Sequence, residues 1–153
     1  SQENTPKYAT TQTVGVLIGN GFNGREVSAA LRAFDENGVF YSIVSEKLGS
    51  VTGADGTTLK VDETFLTSSP YLFDSLYIVG GNESNRNFVM SIHKFFINAY
   101  EHFKPIGVAT TGNAYITTTE GNNLAGVVFA ENNPNFGNDF VAAIGQHRFW
   151  NRT

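Results

Sequence analysis

Short apolar runs alternate with stretches of helical periodicity along this chain, and this alternation restricts the fold more than any other feature. Residues 14–18, 75–79 and 106–109 have the length and composition of strands buried on both faces of a sheet. The intervening apolar residues recur at spacings of three and four, from Val27 to Phe34 and from Phe88 to Phe103. The pattern predicts an α/β fold: a flavodoxin-like three-layer sandwich with a mostly parallel sheet and helices on both faces.

Weaker signals place the remaining elements. Residues 39–44 and 127–129 are predicted strands, and residues 136–147 a closing helix with Phe140, Val141 and Ile144 inward. The Asp55-Gly56 pair indicates a peripheral β-hairpin within residues 51–61. Residues 1–13 are polar and are interpreted as a linker or arm, leaving residues 14–153 as one domain. Because the chain starts at Ser1 rather than Met, we expect it to be a piece of a longer protein.

The charge and cysteine counts exclude several classes of function. The net charge is −4 and no basic cluster exists, which argues against nucleic acid or an anionic membrane as a partner. There is no cysteine, so thiol nucleophiles and thiolate metal sites are excluded. His93 and His102 lie nine residues apart, which is not the spacing of a metal pair on a helix. We therefore expect neither a metal nor another cofactor.

Ligands of parallel sheets bind beyond the carboxyl ends of the strands, where three loops are expected to meet. These loops are residues 19–24, 80–87 and 110–113. The first, Gly19-Asn20-Gly21-Phe22-Asn23-Gly24, partly matches a dinucleotide fingerprint, with Glu46 about 22 residues further on. A flavodoxin-like module that binds a nucleotide, a flavin or another small molecule is therefore one alternative.

Glu26 and Thr110 are the candidates for chemistry. Glu26 lies in the first turn of the first predicted helix, where the helix dipole alone favours a carboxylate. Thr110 and Thr111 follow a buried strand, in the position of a nucleophile elbow. A Thr nucleophile needs a base, and neither His nor Lys lies beside it in sequence. The alternative to this dipole role is a functional one, in which the Glu26 side chain points at the Thr110 turn.

Three segments resemble the PfpI-protease and class I glutamine amidotransferase-like superfamily. They are residues 14–38, 73–81 with Gly80-Gly81 at the end, and 104–112. Glu26 lies where that superfamily keeps a conserved acid. Thr110 and Thr111 replace its nucleophilic cysteine and the His that usually follows it. The resemblance therefore implies a vestigial site formed by Glu26, Gly80, Gly81, Thr110 and Thr111, with no catalytic residue. A residual hydrolase or deglycase that uses Glu26 with Thr110 or a water is the enzymatic alternative.

Within that superfamily, the closing residues 140–150 and the opening arm resemble the C-terminal domain of large-subunit (clade 2) haem catalases. We expect a fungal source. The resemblance implies a homotetrameric parent whose haem and peroxide chemistry lie in another domain, cytoplasmic or secreted to the cell wall. It implies a non-enzymatic role: the domain would stabilise the parent against its catalase core and act as an ATP-independent chaperone (holdase) toward unfolding proteins.

Aromatic residues at element ends are the candidate surface for such clients. The set is Phe65, Tyr71, Phe73, Phe136, Phe149 and Trp150, with Tyr41 as a further candidate. The same residues would also fit an interface with the missing catalase core.

Overall fold

The computed structural model describes residues 12–82, 84–116 and 124–146. In chain order the helices and strands are β1 Thr13–Ile18, α1 Gly24–Glu36, β2 Phe40–Ser45, β3 Gly49–Thr52, β4 Thr58–Val61, β5 Glu63–Thr64, β6 Ser75–Gly80, α2 Arg86–Glu101, β7 Ile106–Val108, β8 Val127–Phe129 and α3 Phe136–Gln146. Two 3-10 segments, Pro70–Leu72 and Thr110–Tyr115, precede β6 and follow β7.

Six of these strands form one parallel sheet in the order β5-β2-β1-β6-β7-β8. The strands β3 and β4 pair antiparallel as a separate hairpin around Asp55-Gly56. The flavodoxin-like architecture and the peripheral hairpin predicted from the sequence are both confirmed.

The two faces of the sheet carry separate apolar clusters. Val14, Val16 and Ile18 of β1 pack toward α1 and α3, whereas Leu17 packs toward α2, as the alternation of side chains along a strand requires. On the α1 side, the Phe34 ring lies edge-on to the Phe140 ring, with centroids 5.8 Å apart. The continuous apolar runs of β1 and β6 are thus explained by burial on both faces.

Asparagine side chains cap the N-termini of two of the helices. The Asn23 side chain accepts from the Glu26 N–H at 3.0 Å, and the Asn85 side chain accepts from the Phe88 N–H at 2.9 Å. The helix α2 ends at Glu101, so the prediction that Phe103 continues it is wrong. Phe103 has a φ of +63°, and Pro105 disfavours helical geometry at the residue before it.

The start of the sheet differs slightly from the prediction. Thr13, the last residue of the expected arm, is the first residue of β1, and Gln12 before it is buried. The rest of the arm lies outside the described residues. The two-residue strand β5 was not predicted, since so short a strand carries no periodicity. It pairs with Val44 and Ser45 and forms one edge of the sheet.

In the parts of the chain that the structure describes, no helix has the length and apolar character needed to cross a membrane.

Two isoleucines of α2 test the burial of this helix. Ile92 is fully buried, whereas Ile97 on the same helix is 36% exposed. We expect Ile92→Ala to lower the free energy of unfolding by about 2–5 kcal/mol, because it leaves a cavity in the core. Ile97→Ala, the matched control, should cost less than about 1.5 kcal/mol. Urea denaturation measures both, and equal losses would contradict the assigned inward face of α2.

Candidate functional site

The three loops predicted to meet at the carboxyl edge of the sheet do meet there. The Gly19 N–H donates to the Gly80 carbonyl, and the Asn82 N–H donates to the Asn20 carbonyl, both at 2.8 Å. Gly80 has a φ of +64°, and a Cβ on it would overlap the Tyr115 ring. Glycine is therefore required at Gly80 by both conformation and space.

Glu26 and Thr110 are in direct contact, as the functional interpretation expected. One carboxylate oxygen, Glu26 Oε2, accepts from the Thr110 backbone N–H at 2.9 Å and from its Oγ1 hydroxyl at 3.1 Å. The spacing from Asn23 to Glu26 matches a capping box, yet the Glu26 carboxylate reaches across the site instead of back to the cap. These bonds join the first turn of α1 to the turn after β7.

The backbone of the Thr110 turn is unstrained. Ala109 is extended, with φ −69° and ψ 163°, and Thr110 begins a 3-10 helix. Phe103 and Asn132 are the non-glycine residues with positive φ among those described. The strained elbow considered at Thr110 is therefore absent. The Thr111 hydroxyl donates to the Val79 carbonyl at 2.6 Å, which commits it to the backbone.

A small cleft of about 240 Å³ opens beside Glu26 and Thr110. Its other walls come from α1, α3 and the segment after β8: Ala29, Ala30, Ala130, Asn133, Pro134, Phe136 and Gly137. No His, Cys, Tyr or Met lines this cleft, so the residues present do not fit haem, which needs such an axial ligand. Within the described ranges, no group of three His, Cys, Asp or Glu side chains could hold a metal ion.

The glycine-rich loop is packed against the β3–β4 hairpin. The Gly21 N–H donates to the Thr52 carbonyl at 2.8 Å, and a Cβ on Gly24 would overlap the side chains of Thr57 and Asp55. A hydrogen bond from the Thr57 backbone N–H lowers the pKa of Asp55, which keeps this carboxylate charged. A negative charge beside the start of α1 opposes a phosphate there.

Glu46, the other residue of the dinucleotide hypothesis, accepts from the Asn85 side chain at 3.0 Å. It therefore contacts the beginning of α2. The residues of the fingerprint are used for contacts within the fold.

Tyr77 is the site residue that the sequence analysis missed. It is fully buried on β6, and its hydroxyl has no hydrogen-bond partner among the described residues. Burial, and secondly the negative charge of Glu26, raises the pKa of Tyr77 well above its usual value. Its place between the apolar residues Leu76 and Ile78 was the available signal, since a buried phenol normally finds a partner.

The candidate client-binding aromatics divide into exposed and buried residues. Tyr71 is 70% exposed and Phe65 is half-buried. Phe73 and Phe136 are buried, so the expectation that they are exposed is wrong. Phe73 packs over Gly15, which leaves room for the ring, and Phe136 stacks on Phe140 at 5.6 Å. Phe149 and Trp150 lie outside the described residues, and Tyr41 is half-buried.

Other exposed apolar side chains, which the sequence analysis did not single out, are aliphatic. Leu66 is 95% exposed, and Leu72 and Met90 are 60% and 57% exposed. Leu66 and Met90 line a hollow of about 550 Å³ along α2, which adjoins a second hollow of about 390 Å³ at Pro70 and Tyr71. Because the two share Phe65, Leu66, Ser91 and Lys94, we treat them as one surface, the α2 groove.

The contribution of the Tyr77 hydroxyl to stability can be tested by its removal. Tyr77→Phe should raise the free energy of unfolding by about 1 kcal/mol at pH 7, because an unsatisfied buried hydroxyl costs about 1–3 kcal/mol. The raised pKa keeps Tyr77 protonated in the folded state while the unfolded chain ionises above about pH 10. The native protein therefore loses stability as the pH rises through 10, and the gap to Tyr77→Phe should widen by up to about 1.4 kcal/mol per pH unit.

Tyr115→Phe is the matched control. The Tyr115 hydroxyl donates to the Gly81 carbonyl at 3.1 Å, so its removal should lower stability by about 1 kcal/mol. Urea denaturation between pH 7 and 11 measures both variants. A loss of stability in Tyr77→Phe would show that its hydroxyl is satisfied.

Solved structures share this fold. A ThiJ/PfpI domain protein from Brachyspira murdochii superposes with a TM-score of 0.65 at 16% identity, covering 86% of this chain and 94% of that one. Oxidised DJ-1 from Toxoplasma gondii gives 0.57 at 14% identity, covering 69% and 59%. At these identities the likeness concerns the fold alone.

Curated relatives match the chain in sequence. A catalase of Alkalihalophilus pseudofirmus is 41% identical over 99% of the chain, and Catalase-2 of Bacillus subtilis is 37% identical over 99%. The chain spans 22% of the length of each. Both sources are bacterial and give no support to the expected fungal origin. The family model that describes the C-terminal domain found in long catalases matches residues 10–153. The chain therefore belongs to the family of C-terminal domains found in long catalases.

Proposed function

We propose that this chain is a non-enzymatic accessory domain that stabilises a large-subunit catalase. The observation that carries the proposal is the Thr110 turn: its hydroxyl and its N–H are both bound to Glu26. In the superfamily that the chain resembles, this position carries the nucleophilic cysteine. Here the position serves as a structural link between α1 and the end of β7.

The chemistry of the site supports the absence of catalysis. Thr110 and Glu26 lie within the distance of a nucleophile and its base, but a hydroxyl is a far weaker nucleophile than a thiolate. A working triad also needs a third group that orients the base. Glu26 is held instead by Thr110 itself, and Thr111 donates to a backbone carbonyl.

The peroxide chemistry of the proposed parent belongs to the polypeptide outside this chain. The relatives are named catalases, and the chain covers 22% of their length. The cleft beside Glu26 does not fit haem, so the domain would contribute through its contacts with the rest of a homotetrameric catalase. A docked domain stabilises its partner by binding the folded state alone.

Deletion of residues 12–153 from the long catalase separates stabilisation from catalysis. We expect kcat per haem to change by less than about twofold, and the half-life of activity at elevated temperature to fall several-fold. Steady-state peroxide decomposition, divided by the haem content from absorbance, measures kcat. The activity that remains after heating for increasing times measures the half-life. An unchanged half-life would contradict the proposed role.

Holdase activity is a second candidate, favoured by the exposed apolar side chains of the α2 groove. Leu66 is 95% exposed, and such surfaces bind non-native chains. No nucleotide would be required, in keeping with the hairpin that packs against the glycine-rich loop.

Light scattering of a thermolabile client enzyme tests this second candidate. The domain should suppress aggregation at ratios near one per client, and Leu66→Ser with Met90→Gln should at least halve the suppression. Leu48→Ser is the control, because Leu48 is 66% exposed and does not line the α2 groove. Suppression no better than that by an equal mass of inert protein would contradict holdase activity.

A further inference from the structure

Among the described residues, the α2 face of the sheet is covered over its central strands, where Leu17, Leu76 and Ile106 are buried, and is more open at β2, where Phe40 is exposed. Of the described α-helices, α1 and α3 share one apolar cluster, whereas α2 alone packs in the other. Six strands at about 4.8 Å spacing form a sheet roughly 24 Å wide, and one helix with its side chains covers about 10 Å. The segment from Phe65 to Phe73 covers part of the remainder and leaves the α2 groove between itself and the helix.

The composition of the α2 groove is that of a docking surface. Its lining combines the apolar side chains of Phe65, Leu66 and Met90 with polar ones and with charges of both signs at Glu46 and Lys94. Stable interfaces between folded bodies also combine apolar with polar side chains. Leu66 projects almost entirely into solvent, where it contributes nothing to the core of this domain.

The chain enters the domain at one end of this groove. The Gln12 carbonyl accepts from the Phe40 N–H at 3.1 Å, and Thr13 N–H donates to the Asp74 carboxylate at 3.0 Å. The residues just before Asp74 are the Pro70–Leu72 turn, whose Pro70 and Tyr71 line the second hollow. Gln12, the first described residue, therefore lies beside the Tyr71 end of the α2 groove.

Phe40 extends the apolar surface at the same end. It pairs with Thr13, so its side chain lies on the α2 side of the sheet, like those of Leu17 and its partner Val44. Phe40 is 66% exposed, and Leu72 in the neighbouring turn is 60% exposed. The most exposed apolar side chains on this face thus flank the point of entry as well as the groove.

We propose that the α2 groove is the docking surface for the catalase body that precedes this domain in the long polypeptide. The inference rests on the proposed accessory role and assigns that role a surface. The family is that of C-terminal domains, and about four-fifths of each bacterial relative lies outside the matched region. A body tethered beside Tyr71 has a high effective concentration at the groove, which a free partner or a second copy lacks.

The test uses the full-length long catalase with Leu66→Glu, and Leu48→Glu as the matched control. Each places a carboxylate at an exposed leucine, but only Leu66 lies in the groove. We expect Leu66→Glu to increase the maximum dimension in small-angle X-ray scattering and to speed proteolytic release of the domain about tenfold. Leu48→Glu should behave as the native protein does. Equal behaviour of all three proteins overturns the proposal.

Two further measurements make the result decisive. Circular dichroism of the released domain should show the same unfolding midpoint for Leu66→Glu and native protein. If Leu66→Glu is misfolded, the milder pair Leu66→Ser and Tyr71→Ser replaces it in the same assay. Sedimentation of the 153-residue chain should show a monomer, and a dimer abolished by Leu66→Glu would overturn the proposal in favour of a second copy.

The deletion experiment separates this proposal from the accessory function. If deletion shortens the half-life of the catalase but Leu66→Glu leaves the domain docked, the groove assignment fails and the stabilising role stands. If Leu66→Glu releases the domain while deletion leaves the half-life unchanged, the docking surface stands and the stabilising role fails.

Discussion

Burial of β1 and β6 on both faces is the constraint on which the rest of this structure depends. These two adjacent strands bring together the glycine-rich loop and Gly80-Gly81, and β7 adds the Thr110 turn beside them. Parallel strands end at the same edge, so three loops far apart in sequence must converge there. The close packing of that edge explains why Gly80 tolerates no side chain: the Tyr115 ring lies where a Cβ would be.

The convergence of loops places the carboxylate of α1 against the turn that follows β7. Glu26 reaches Thr110 across the edge of the sheet, and two hydrogen bonds to one carboxylate oxygen hold the turn. The hydroxyl of Tyr77 lies in the core with no partner in the described parts of the chain, and the charge of Glu26 contributes to the raised pKa of this phenol. A buried polar group without a partner normally lowers stability.

The opposite face of the sheet carries exposed apolar side chains that a larger molecule could cover. A single described helix, α2, packs on that face, and the adjoining segment leaves Leu66 and Met90 exposed along a groove. Attachment to a longer catalase polypeptide would place a large folded body beside this groove. The same exposed leucine and methionine would bind the clients of a holdase. The α2 groove could therefore not bind the catalase body and a client at the same time.

The sequence alone determined the architecture and the identity of the candidate pair. Its apolar runs and helical spacings predicted most of the strands and helices in their order along the chain. A strand buried on both faces and a helix buried on one face each leave a distinct periodicity. Glu26 in the first turn of a predicted helix and Thr110 directly after a predicted strand made a contact between them one of the alternatives that the sequence offered. The tertiary structure decided the rest.

Phe73 is buried because Gly15 of β1 leaves room for its ring, and Phe136 is buried because its ring packs on Tyr77 of β6, contacts that the local pattern does not record. Leu66 is exposed because it lies in a connector with no regular periodicity that packs beside α2. The Tyr77 hydroxyl has no partner because no donor or acceptor of the described elements reaches it. Each of these outcomes depends on which elements become neighbours after folding, and that is the information a one-dimensional pattern lacks.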